Sequence, residues 1–174
     1  MTTLIEHEVL WSRKQELDEF SRGLDTLGLL EIMRRNPVAA QGLMCFDAEK
    51  EFGPQEFEQC LHRVPPDVND FAKTQAYSFF DQYIKDNTVS PSYPGGCKLK
   101  ALLLFCTSYP LPPPGGLPKK ITLSYLSDDD QYQLPTSAAC FGYLRLPTVH
   151  SSQSKFNEMM DKALQYESLG FSAF

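Results

Sequence analysis

Residues 134–147, LPTSAACFGYLRLP, constrain this chain more than any other stretch of it. Pro135 fixes its own φ, removes a backbone donor and biases Leu134 toward extended geometry. Thr136, Ser137, Ala138 and Ala139 bury little and suit an exposed loop. From Phe141 the pattern alternates, with Phe141, Tyr143 and Arg145 on one side and Gly142, Leu144 and Leu146 on the other. That is the period of a half-buried strand. The stretch therefore predicts a thiol, Cys140, on a loop at the mouth of a strand, with a sheet behind it.

Helical spacing fills much of the remainder. Leu10, Leu17, Phe20, Leu24 and Leu27 form an apolar stripe, interrupted at Gly23. Gly28 breaks the segment, and Leu29, Leu30, Ile32 and Met33 begin a second helix. Asn36 as N-cap before Pro37 starts a third, running to about Met44. Gly53-Pro54 announces a short helix through Leu61. Val64-Pro65-Pro66-Asp67 cannot continue a helix and marks a linker. Beyond it, Thr74 is placed to cap a helix carrying Phe79, Phe80, Tyr83 and Ile84.

Leu99, Leu102, Leu103 and Cys106 sit at helical spacing, although period alone also allows a buried strand. Residues 110–118, rich in Pro and Gly, are a rigid connector. Ile121, Leu123 and Tyr125 alternate as a strand, and residues 127–130 make an acidic turn. Ser151 or Ser152 caps a last helix with Phe156, Met159, Met160, Ala163 and Leu164 on one face, the two methionines as core filler, and Gly170 stops it. The expected fold is α+β. A helical segment covers residues 1–64, and a small domain covers residues 65–174. Its short sheet packs against the Phe79/Phe80, Leu102/Leu103 and Met159/Met160 faces.

Composition narrows the function classes. A 42% hydrophobic and 22% charged share over 174 residues is that of a chain able to bury a core. A net charge of -6, with no basic cluster longer than a pair, argues against nucleic acid as a partner. The longest apolar run, residues 101–106, is too short to span a membrane. Residues 1–11 lack the basic and apolar regions of a secretion signal. The five cysteines, at positions 45, 60, 97, 106 and 140, form no Cys-x-x-Cys pair, and His7, His62 and His150 are scattered. No metal site and no cofactor are expected, and the thiols are those of a cytoplasmic or nuclear protein. Cys45, Cys60, Cys97 and Cys106 fit buried small hydrophobes, and His150 fits a solvated loop.

The segment around Cys140 resembles the active-site segment of HECT ubiquitin ligases, whose pattern is Leu-Pro, a short run, Cys-Phe and then Leu-x-Leu-Pro. The matching residues are Leu134, Pro135, Cys140, Phe141, Leu144, Leu146 and Pro147. The likeness extends backward through Leu103-Leu104-Phe105-Cys106-Thr107, Pro113, Gly115-Gly116-Leu117 and Phe79-Phe80, and forward to Gly170-Phe171. Residues 65–174 are thus similar to the family's C-terminal lobe. More loosely, through Phe20-x-x-Gly23-Leu24, residues 1–64 are similar to the end of its N-terminal lobe.

The resemblance implies that Cys140 accepts ubiquitin as a thioester from a ubiquitin-conjugating enzyme and passes it to a lysine of a protein substrate. Sulfur suits both steps, being nucleophilic and a good leaving group. Leu134, Pro135 and Phe141 would support the thiol, and Phe171, four places from the end, would serve the transfer. The family binds its conjugating enzyme through an N-lobe region not matched here. One departure stands beside the motif. Where the family has His-Thr before the cysteine, this chain has Ala138-Ala139, without the hydrogen-bonding atoms that position a thioester carbonyl or an incoming amine. It supports an alternative: a HECT-like module that binds ubiquitin or a protein partner without transferring it.

Overall fold

The structure, a computed structural model, describes residues 7–44, 50–86, 88–93, 96–126 and 133–167. The chain divides into two compact units, Met1–Asp47 and Ala48–Phe174.

In the first unit a π-helical turn, His7–Trp11, precedes α1 (Lys14–Asp25), α2 (Leu29–Arg35) and α3 (Pro37–Met44). Backbone chemistry sets their limits. Gly28, at φ 68°, takes the left-handed conformation that separates α1 from α2. Asn36 serves both of its neighbours: its side-chain amide donates to the Ile32 carbonyl at 3.3 Å, and its own carbonyl accepts the first bond of α3 from Ala40 at 2.9 Å. Gly23 does not interrupt α1, which runs on to Asp25; a glycine in a helix interior costs only about 1 kcal/mol. Neither α1 nor α2 buries a residue.

The second unit holds the core. In α4 (Pro54–Cys60) the Glu56 carboxylate accepts from the Gly53 N–H at 3.0 Å, and the helix leads straight into β1 (Leu61–His62). α5 (Phe71–Lys85) starts a turn earlier than Thr74 suggests. Asp70 caps it, its carboxylate accepting from the Lys73 N–H at 3.1 Å. The stretch holding Leu99 and Cys106 is a helix, α6 (Lys98–Thr107), not a strand. Then come β2 (Ile121–Tyr125), β3 (Thr136–Ala138), β4 (Tyr143–Leu146) and α7 (Gln153–Glu167). The Ser152 hydroxyl accepts from the Lys155 N–H at 3.3 Å and so caps α7. Seven α-helices and one four-stranded sheet among the described residues make the fold α+β.

The sheet order is β1-β2-β4-β3, with β1, β2 and β4 parallel and β3 antiparallel to β4. One face buries Leu61, Ile121, Leu123, Leu144 and Leu146 against Phe57, Phe80, Leu99, Leu102, Leu103, Phe156 and Met160 of the four helices. α4 and β1 therefore go with the second unit, upstream of Pro65-Pro66, because Phe57 and Leu61 lie in its core and Leu61 pairs with Ile121. Two polar contacts stitch the helices. The Tyr83 hydroxyl donates to Asp161 at 2.6 Å, and burial, then that carboxylate, push its phenol far above the usual range. Lys98 is buried with its ammonium 3.0 Å from Asp86 and 4.5 Å from the Tyr83 ring centre. A cation is tolerated there only because it is paired.

Candidate active site

β3 and β4 form a hairpin, with Ala138 paired to Tyr143, and Cys140 sits in the turn between them. The turn is tight. The Ala138 carbonyl accepts from the Phe141 N–H at 3.0 Å and from the Gly142 N–H at 2.9 Å. Gly142 has φ 65°, where a side chain is strained, and a Cβ built on it would lie 3.2 Å from the Lys120 carbonyl. Its own carbonyl accepts from the Thr122 N–H at 2.7 Å, tying the turn to the head of β2. On the other flank the Ser137 hydroxyl donates to the Phe105 carbonyl at 2.6 Å, latching β3 to α6.

So held, Cys140 is exposed. Phe141 beside it is 64% exposed. The strand begins at Tyr143 rather than Phe141, because the positive φ of Gly142 breaks the extension, yet the alternation holds: Tyr143 and Arg145 face out, Leu144 and Leu146 in. Pro135 is buried and Leu134 half-buried, so both root the hairpin. Cys60, Cys97 and Cys106 are buried, and burial pushes the Cys60 thiol up. Phe171, Gly170, Cys45 and residues 127–130 lie outside the described residues.

His150 departs from expectation. It is buried rather than solvated, edge-on to Phe156 at 6.1 Å, with Nε2 2.7 Å from the Gln133 carbonyl. A carbonyl only accepts, so Nε2 carries the proton. Nor does His150 join the thiol. Cys140 precedes β4 and His150 follows it, with roughly 13 Å of strand between.

The roles of three residues at the turn, Ser137, Lys119 and Gly142, escaped the sequence reading. Lys119 places its ammonium 5.1 Å from the Tyr143 ring centre, a contact made by the parallel pairing of β2 and β4 and invisible in local pattern. Gly142 did leave a signal: a glycine just ahead of an alternating run marks a tight turn. Among the described residues no three His, Cys, Asp or Glu side chains group as a metal site, and no helix is long and apolar enough to cross a membrane.

A family model described as HECT-domain (ubiquitin-transferase) matches residues 43–173, a span that takes in the whole sheet and the thiol turn. The chain belongs to the HECT family. Within this HECT chain, α1 and α2 lie ahead of the matched span. The chain is also similar to the G2/M phase-specific E3 ubiquitin-protein ligase of Gallus gallus, 28% identical over 156 residues. That match covers 90% of this chain and 20% of the relative, so the HECT chain spans about a fifth of the relative's length.

Proposed function

We propose that this HECT chain is the catalytic end of a ubiquitin ligase, with Cys140 as the acceptor. The observation that carries the reading is the exposed thiol on a turn braced from both sides, by Gly142 on β2 and by Ser137 on α6. The Cys140 thiolate attacks the carbonyl of the ubiquitin thioester on a conjugating enzyme. A new C–S bond forms, the old one breaks, and the enzyme's thiolate leaves. A substrate lysine amine then attacks the same carbonyl, an isopeptide bond forms, Cys140 leaves as thiolate and the amine's proton passes to solvent. Leu134 and Pro135 hold the hairpin, Phe141 offers an apolar surface beside the carbonyl, and Phe171 assists discharge. Residues 65–174 act as the C-terminal lobe and residues 1–64 as the end of the N-terminal lobe, with α4 and β1 of that stretch packed into the C-terminal lobe's core. Ubiquitin, the conjugating enzyme and a protein substrate are its partners, in the cytoplasm or nucleus, where thiols stay reduced.

Supplied with charged conjugating enzyme at high concentration, Cys140 forms a ubiquitin adduct that thiol reductants release. Cys140→Ala abolishes it, whereas Cys45→Ala and Cys106→Ala do not. An adduct that survives Cys140→Ala sinks the assignment. One observation favours a second reading, a module that binds without transferring. Ala138 and Ala139 present methyl groups ahead of the thiol, with no side-chain donor. Ubiquitin binding with no adduct under any condition would establish that reading instead.

A further inference from the structure

The turn that carries Cys140 has an amine beside it. Carried back from the pairing of Thr122 with Tyr143, the parallel register of β2 and β4 sets Lys119 at the level of the turn. Contact agrees with register. The Lys119 side chain passes along Gly142, its Cδ and Cγ 3.5 and 3.6 Å from where a Cβ on that glycine would stand. Its ammonium then rests on Tyr143, 5.1 Å from the ring centre. Lys119, Cys140 and Tyr143 are all exposed, so the amine and the thiol meet the same solvent at one end of the hairpin. Other lysines are directed elsewhere. Lys120 lies near the buried Cys60: burial raises that thiol, and the Lys120 charge offsets part of the rise. Lys98 and Lys100 are buried, and Lys155 and Lys162 both lie on Glu158 of α7.

We propose that Lys119 is an internal acceptor: ubiquitin held on Cys140 passes to the Lys119 amine of the same chain, and the product closes the site. The proposal rests on the assignment of Cys140 as the transferring thiol and adds where its cargo goes when no substrate lysine is presented. The neutral Lys119 amine attacks the thioester carbonyl. A C–N bond forms, the C–S bond to Cys140 breaks, Cys140 leaves as thiolate and the amine's proton passes to solvent. Holding amine and thioester on one braced turn replaces a bimolecular encounter with an intramolecular one. A cation on an exposed ring is held only weakly, and the four-carbon stem of a lysine is flexible, so the amine can leave Tyr143 for the carbonyl. Once ubiquitin is fixed on Lys119, a whole protein stands beside Cys140 and keeps a second charged conjugating enzyme from reaching it.

The test uses the whole chain, charged by a conjugating enzyme that carries ubiquitin with every lysine replaced by arginine, and no substrate. After a thiol reductant has removed the thioester, ubiquitin that resists reduction should remain, and peptide mass spectrometry should find it on Lys119. Lys119→Arg keeps a cation for Tyr143 but no acceptor amine. It should lower that product about 10-fold or more while the reducible adduct forms as before. Lys120→Arg should leave the product unchanged. Diluting the charged chain about 10-fold should not slow the conversion, because the step is within one molecule. The purified product, given fresh charged conjugating enzyme, should gain the reducible adduct far more slowly than the unmodified chain. Ubiquitin spread evenly over the exposed lysines, a product that survives Lys119→Arg, or conversion that slows on dilution overturns the internal acceptor. Recharging at the full rate overturns the closure of the site. The two readings fail differently. If the adduct forms and discharges to free lysine while Lys119 stays unmodified, the internal acceptor fails and transfer stands. If no reducible adduct forms at all, the assignment of Cys140 fails and the internal acceptor with it.

Discussion

α1 and α7 are written on the same period and end in opposite surroundings. α1 carries Leu17, Phe20 and Leu24 at helical spacing, and Phe20 is 60% exposed. α7 carries Phe156, Met160 and Leu164 the same way, and Phe156 is 0% exposed, between Phe79, Tyr83 and His150. An apolar stripe makes a helix amphipathic but supplies nothing for it to lie on. α7 has α5 and α6 as neighbours in its own unit, whereas the helices of the first unit are too few and too short to cover one another. The difference is one of partner surface, not of pattern. Stability in this chain therefore resides in the second unit.

That comparison can be broken by paired substitutions. Phe156→Ala should cost about 3–5 kcal/mol, read as a lower melting temperature or denaturant midpoint, while Phe20→Ala should stay within about 0.5 kcal/mol. Similar losses at both positions would mean that α1 is buried in solution. Next come two glycines. Gly142→Ala should cost about 2 kcal/mol, since it forces a side chain into positive φ against the Lys120 carbonyl. Gly23→Ala, inside α1 with nothing near its Cβ position, should instead raise helicity by circular dichroism, a gain of about 1 kcal/mol.

Tyr83→Phe has a smaller effect, about 1 kcal/mol, by removing one of the two phenol donors to Asp161, the other being Tyr93. Its pH dependence has a definite sign. The folded phenol titrates above the unfolded one, so its contribution is full below about pH 10 and falls as the pH rises beyond it. Tyr83→Phe should flatten that alkaline fall in stability. Part will remain, because burial also pushes Tyr93 up to about 12. An alkaline limb unchanged by the substitution would show that Tyr83 is not sealed between α5 and α7.

What was legible in the sequence were periods and breakers. The period-2 run after Cys140 revealed which side of β4 is buried, and Pro37, Gly28 and Gly53-Pro54 marked helix limits to within a residue or so. Thr74 misled because Asp70, one turn earlier, is an equally good cap and lies nearer the end of the loop. His150 misled for another reason. A lone histidine has no pattern, and its two contacts, Gln133 and Phe156, exist only once the segment ahead of β3 and the first turn of α7 both reach it. The same holds at the candidate site. Cys140 could be found from its neighbours in the chain, but Lys119 and Ser137 act through β2 and α6, which meet the turn only in three dimensions.

The mixed sheet has a consequence in time. The β3–β4 hairpin closes over one short turn, an event of about 1–10 µs. β2 must find β4 across a longer connection, and Leu61 of β1 must find Ile121 across a longer one still, pairings whose loop-closure entropy slows them. The thiol turn thus takes shape while the rest of the unit is still assembling, and only later is it seated on Thr122. During refolding, pulsed alkylation should label Cys140 from the first moments as readily as in the native protein. Protection of Cys106, in the core beneath, should grow only with the slow phase. A nascent chain of this kind presents the Cys140 thiol to solvent before it has a folded body beneath it.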